Sequence, residues 1–210
     1  MDKQFAIFDM DGTLIDSMIF WKNLASEYLR SKGVKQVPMD ILERIKPMTM
    51  SESAALFVQE FGLTGDPEAE MNAMMETHYR QDIPLKTGVK EYLQMLRSKG
   101  VRMCVTSATA DHLMEACLKR LQVRDYFEFL LSCETVGAGK RSPLVYQESA
   151  QRLNAVPAEI AVYEDALYAI QTAKDAGYYV VGVYDDSAVK NWQTIENIAD
   201  EVILNWEEIV

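Results

Sequence analysis

From residue 83 onward, short runs of β-branched and aromatic residues alternate with helix-length patterns, and this rhythm restricts the fold more than any other feature. Strand-like runs fall at 101–106, 128–132, 159–163, 178–183 and 201–204. Helical patterns lie between them, at 87–98 ending before Gly100, 110–121, 143–153 and 166–176 ending before Gly177. Residues 4–8, Gln-Phe-Ala-Ile-Phe, make one more such run and stop at Asp9. Strands that alternate with helices of about a dozen residues form βαβ units, so the expectation is an α/β fold, a doubly wound Rossmann-like parallel sheet.

The region between the first two strands breaks the rhythm. In 18–32, Met18, Trp21, Leu24, Ala25, Tyr28 and Leu29 share one helical face, and Gly33 closes the helix. A short helix at 39–45 is expected to stop at Pro47. Thr49 and Glu52 have capping-box spacing ahead of Ser53–Phe61, and Gly62 ends that run. Asp66-Pro67 supplies an N-cap and a first-turn proline for 67–80, with Glu68 and Glu70 placed to favour the helix dipole. The expected organisation is a Rossmann-like core of 1–16 and 83–210, with a four-helix cap domain inserted at 17–82.

The net charge of −11, from 32 acidic and 21 basic residues, opposes a nucleic-acid or anionic-membrane role, because phosphate surfaces attract basic ones. A small phosphorylated ligand stays compatible, since a few cations and a metal can reverse the field inside one pocket. Cys104, Cys117 and Cys133 are odd in number, lack Cys-x-x-Cys spacing and lie in apolar surroundings, as buried free thiols do in a reducing compartment. The N-terminus has no signal-peptide h-region, and no stretch approaches the ~18 apolar residues of a membrane helix. A cytoplasmic location is therefore expected.

Chemistry concentrates where strands end. Phe8-Asp9-Met10-Asp11-Gly12-Thr13-Leu14 follows the first strand directly. Two carboxylates spaced i and i+2 can both face a cleft, one attacking phosphorus while the other moves a proton. An acidic turn shaped by Gly12 accounts for the same residues. The second strand ends in Thr106-Ser107-Ala108-Thr109, whose hydroxyls and N–H groups suit a phosphate, although Ser107 alone reads as an ordinary N-cap. Lys140 lies in Gly137-Ala-Gly-Lys-Arg-Ser-Pro143 and alone reads as a solvated lysine. Val162-Tyr-Glu-Asp165 brings Glu164 and Asp165 to the end of the fourth strand, hard oxygen ligands for a cation such as Mg²⁺.

In that order and spacing, these segments resemble the haloacid-dehalogenase-like hydrolase superfamily, and within it the β-phosphoglucomutase and phosphoglycolate phosphatase branch. The resemblance spans nearly the whole chain and includes Asp125-Tyr-Phe127 and Ala173-Lys-Asp-Ala-Gly177. It implies Asp9 as the nucleophile and a Mg²⁺ ligand, and Asp11 as general acid/base with its backbone carbonyl on the metal. It implies Ser107 and nearby N–H groups around the phosphoryl oxygens, Lys140 as their counter-charge, Asp165 as a direct metal ligand, and Glu164 as a ligand directly or through water. The implied activity is hydrolysis of a small phosphorylated metabolite by a monomer or weak dimer. The rivals are a sugar-phosphate mutase, a haloacid dehalogenase, for which Asp11 argues wrongly, and a weakly active binding protein on the same scaffold.

The chain departs from the family pattern in places. Lys140-Arg-Ser-Pro-Leu144 stands for Lys-Pro-x-Pro-Asp, which leaves the support of Lys140 open. Ala166 and Ala169 replace a small polar residue and a glycine, Trp21 stands where mutases carry histidine, and the loop 46–51 lacks the usual glycine. His78 and His112 read as surface or boundary residues, the methionines as core, and Asp185-Asp186 as a solvated loop. Trp206-Glu-Glu208 reads as a terminal helical turn.

Overall fold

The computed structural model describes residues 3–45, 48 and 50–209. In chain order it forms β1 (Phe5–Phe8), α1 (Met18–Ser31), α2 (Met39–Ile45), α3 (Met50–Phe61), α4 (Pro67–Gln81) and α5 (Val89–Ser98). There follow β2 (Arg102–Ser107), α6 (Asp111–Arg120), β3 (Leu130–Ser132), α7 (Cys133–Val136) and α8 (Leu144–Leu153). The chain continues through β4 (Ile160–Glu164), α9 (Leu167–Asp175), β5 (Tyr179–Val183), α10 (Trp192–Ile198) and β6 (Glu201–Ile203), and a 3₁₀ turn covers Trp206–Ile209.

All six strands are parallel, in the order β3-β2-β1-β4-β5-β6. Every residue of β1 and β4 is buried, as a parallel sheet covered by helices on both faces requires. The chain moves outward from β1 to β2 and β3, then returns to the other side of β1 through β4. That reversal is a topological switch point, where the carboxyl ends of neighbouring strands open a crevice. Asp9 and Glu164-Asp165 stand at its two walls.

The residues divide into two compact units, one of 3–17 with 83–209 and one of Met18–Asp82. In the first, the two crossing segments pair with each other. The N–H of Asp16 donates to the Pro84 carbonyl at 3.0 Å, that of Lys86 to the Leu14 carbonyl at 2.9 Å, and Ile15 bridges Leu85 antiparallel. Cys104, Cys117 and Cys133 are buried here as free thiols.

The second unit contains α1 to α4, and none of its described residues is strand. Tyr28, Phe57, Met71, Met75 and Tyr79 fill its core. Asp66 caps α4 by accepting the Ala69 N–H at 3.0 Å, with Pro67 in the first turn. The expected stop at Pro47 and the capping box beginning at Thr49 fall on positions outside the described residues.

The strand expected at 128–132 begins only at Leu130, although the Glu128 N–H still donates to the Met103 carbonyl of β2 at 2.8 Å. Helices α7 and α10 were not expected. α7 spans only four residues, too few to establish a 3.6-residue period.

Candidate active site

β1 delivers Asp9 to the switch point, and the Asp9 N–H continues the ladder by donating to the Tyr163 carbonyl of β4 at 2.9 Å. The chain then turns at once. The Met10 carbonyl accepts N–H groups from Leu14 and Ile15, at 2.9 and 3.0 Å, and Gly12 takes φ +81°, a left-handed geometry that glycine adopts without a Cβ penalty. The turn sends the Asp9 and Asp11 side chains to different partners.

The Lys140 ammonium donates to Asp9 Oδ1 and to Glu164 Oε1. Glu164 is further bound by the Tyr146 hydroxyl at 3.2 Å and the Ala166 N–H at 3.3 Å. Asp9, Glu164 and Asp165 are all buried, and each offers a carboxylate oxygen within 4.8 Å of the others. Asp9 Oδ2 is buried with no hydrogen-bond partner. Lys140 thus lies among acids rather than in solvent, although Leu144 is exposed and no acidic residue stands at its position.

Three buried carboxylates against one ammonium leave an excess of negative charge, and the titration behaviour follows. Burial raises the Asp9 carboxyl to about 7, with Lys140 pulling it down and Glu164 and Asp11 adding to the rise. Burial, then Asp9 and Glu164, hold Asp165 well above the usual carboxylate range. Burial works against the charged form of Lys140, but Asp9 and Glu164 outweigh it and keep the ammonium protonated well above its ordinary value. A divalent cation would remove the excess, and an orphaned carboxylate oxygen beside two more acids is a hard-oxygen donor set. The residues fit Mg²⁺.

Asp11 stands apart from that cluster. Its Oδ2 accepts the Thr109 hydroxyl at 2.7 Å and the Ser107 hydroxyl at 3.4 Å. Ser107 does not cap the following helix, because α6 begins only at Asp111. Instead its oxygen accepts the Thr109 N–H at 3.1 Å, closing a short turn at the end of β2. Thr109 is the nearer hydroxyl to Asp11, and the sequence alone assigns it no individual role. Its signal was available, since it shares the polar strand end with Ser107.

Asp185 corrects another expectation. It is buried, not solvated, with Lys86 Nζ donating to its Oδ2 at 2.8 Å and the Ser187 N–H and hydroxyl donating to its Oδ1 at 2.9 and 2.6 Å. Its charge contributes to the rise at Asp165. In the helical unit, Trp21 is partly buried and donates to the Tyr79 hydroxyl at 3.2 Å. His78 lies between Asp82 and Glu27, at 2.8 and 3.2 Å, and His112 is exposed.

A doubly wound sheet that gathers buried ionisable residues at its switch point is the architecture of an α/β enzyme. The family model described as haloacid dehalogenase-like hydrolase matches residues 6–183, and the chain belongs to that family. A phosphorylated carbohydrates phosphatase of Thermotoga maritima is 28% identical, aligned over 95% of each chain. A beta-phosphoglucomutase of Bacillus subtilis is 26% identical over 83% of this chain and 80% of its own. A crystal structure of a Thermotoga maritima protein superposes with a TM-score of 0.82 at 25% identity, covering 98% of this chain and 96% of that one. Among the described residues, no helix is long and apolar enough to cross a membrane.

Proposed function

We propose that the protein is a Mg²⁺-dependent phosphatase that hydrolyses a small phosphate monoester through an aspartyl-phosphate on Asp9. The observation that carries this is the state of the Asp9 carboxylate: Lys140 holds one oxygen while the other is buried and unpartnered at the switch point. The names of the phosphatase relatives support the same reading.

One oxygen of the Asp9 carboxylate attacks phosphorus as the bond to the departing oxygen breaks, and Asp11 gives that departing oxygen a proton. Asp11 then takes a proton from the water that attacks the same phosphorus, which frees Asp9 and inorganic phosphate. The Ser107 hydroxyl and nearby backbone N–H groups hold the phosphoryl oxygens, and Lys140 offsets their charge. Asp9, Asp165 and Glu164 would hold Mg²⁺ together with the Asp11 carbonyl. Bound there, the ion supplies the positive charge that lets a carboxylate approach an anionic phosphate. The helical unit of Met18–Asp82 serves as the cap domain in this reading, and the protein acts in the cytoplasm as a monomer or weak dimer.

Turnover of p-nitrophenyl phosphate should require Mg²⁺, vanish in EDTA and return with added metal. Full activity after exhaustive chelation would remove the metal from the scheme. Asp9→Asn should lower kcat by more than about a hundredfold, ~3 kcal/mol, while circular dichroism stays unchanged. A smaller loss would sink the covalent assignment. With Trp21 in place of the mutase histidine, β-glucose 1-phosphate should release phosphate without forming glucose 6-phosphate. Efficient isomerisation stimulated by glucose bisphosphate would make the protein a mutase and leave the Asp9 chemistry standing.

A further inference from the structure

We infer that Trp206 is a positioning residue for the Asp9–Thr13 loop. It follows the last strand and lies outside the residues 6–183 that the family model matches. Its indole is buried, and Nε1 donates to the Thr13 carbonyl at 3.3 Å across 193 residues of sequence. The ring stacks on Tyr163 with centroids 6.0 Å apart, and Tyr163 stacks in turn on Phe8 at 4.2 Å. Phe8 immediately precedes Asp9, and Tyr163 immediately precedes Glu164. Trp206 therefore grips the catalytic turn from one side and, through two rings, the strand ends that carry both acidic groups.

The core makes room for this grip. Gly88 has φ +89°, and a Cβ there would come within 2.7 Å of the Glu207 nitrogen and 2.8 Å of the Trp206 carbonyl carbon. Tyr92, on the helix that Gly88 starts, closes the slot with its ring 5.0 Å from the indole. No side chain but glycine fits at 88 while the Trp206 turn stays in place.

The test compares Trp206→Phe, which keeps a ring but loses the N–H, with Ile195→Val, a fully buried core change on α10 against β5. Both are measured at the same margin below their own Tm. Amide exchange reads the loop directly, because the N–H groups of Gly12, Leu14 and Ile15 are bonded within it. Trp206→Phe should speed exchange at these three amides about tenfold or more beyond Ile195→Val, as local opening becomes easier. Resting on the phosphatase reading, it should also lower kcat by between about tenfold and a hundredfold with KM within about twofold, the signature of a misplaced reacting group. A Trp206→Phe protein whose loop exchanges like that of Ile195→Val, or exchanges faster yet keeps wild-type kcat, overturns the assignment. If the wild type turns over no phosphate monoester, the phosphatase reading falls by itself and the exchange comparison alone decides the role of Trp206.

Discussion

In the proposed mechanism Asp9 carries two opposed demands at one carboxylate: burial favours its protonated form, while attack on phosphorus requires the ionised one. Its folded pKa, about 7, lies above the ordinary carboxylate value of an unfolded chain. Between about pH 4 and 7 the native metal-free protein thus holds a proton that the unfolded chain has lost, so this group lowers stability as pH rises through that window. Urea unfolding of metal-free protein should show wild type losing ground to Asp9→Asn between pH 4.5 and 7.5, and a constant gap would refute the shift. In the proposed site Mg²⁺ would displace the protons that burial leaves on Asp9 and Asp165, so affinity measured by calorimetry should climb with pH through about 7. Asp9, Glu164 and Asp165 were legible in the sequence because each stands at the end of a strand, whereas Lys140 alone read as solvated and only the family resemblance implied its place beside Asp9. Asp185 was not. Two adjacent acids after a strand look solvated, and the lysine that explains the buried one lies 99 positions away.

The paired segments 14–16 and 84–86 hold the chain together where it leaves and re-enters the core, and Lys86 fastens them to the end of β5. Its ammonium donates to the Tyr184 carbonyl at 3.0 Å as well as to Asp185, and both side chains are largely buried. Removing the cation strands a buried carboxylate, so Lys86→Met should lose about 3 kcal/mol of stability in urea at pH 7. A loss below about 1 kcal/mol would show that the Ser187 donors suffice without Lys86. Burial tends to raise the Asp185 pKa, but Lys86 and Ser187 more than compensate and leave it below the usual range. A depressed carboxyl contributes stability above its unfolded pKa and loses it as pH falls through the folded one, so the two proteins should converge in acid. At this scale the long helices and the six strands were legible from periodicity, while the four-residue α7 was hidden because a single turn carries no period.

Across the whole molecule the charge is −11, and a phosphate monoester approaching it is also an anion. Local cations can bind the phosphate once it arrives, but the long-range field opposes the encounter. At saturating Mg²⁺, raising the ionic strength from 0.01 to 0.15 M shortens the screening length from about 30 to about 8 Å. Values of kcat/KM for a doubly charged monoester should therefore rise over that interval, whereas those for a singly charged diester probe should change less. A fall in kcat/KM for the monoester would mean that cations, not the acidic excess, dominate its approach. Composition made this much legible. The route of the chain from β6 back to the Asp9–Thr13 turn was not, because one tryptophan near three polar residues carries no periodic signal.

The three thiols are located where they can report on this core. Cys104 on β2, Cys117 on α6 and Cys133 on α7 are buried, and none lies in Met18–Asp82. Burial raises all three pKa values, that of Cys117 to about 11, so the thiolate that reacts with a labelling dye is scarce in the native fold. Dye uptake at each site then times the opening of one element of the sheet unit, without interference from the helical one. The native protein supplies this three-channel unfolding clock with no engineered cysteine.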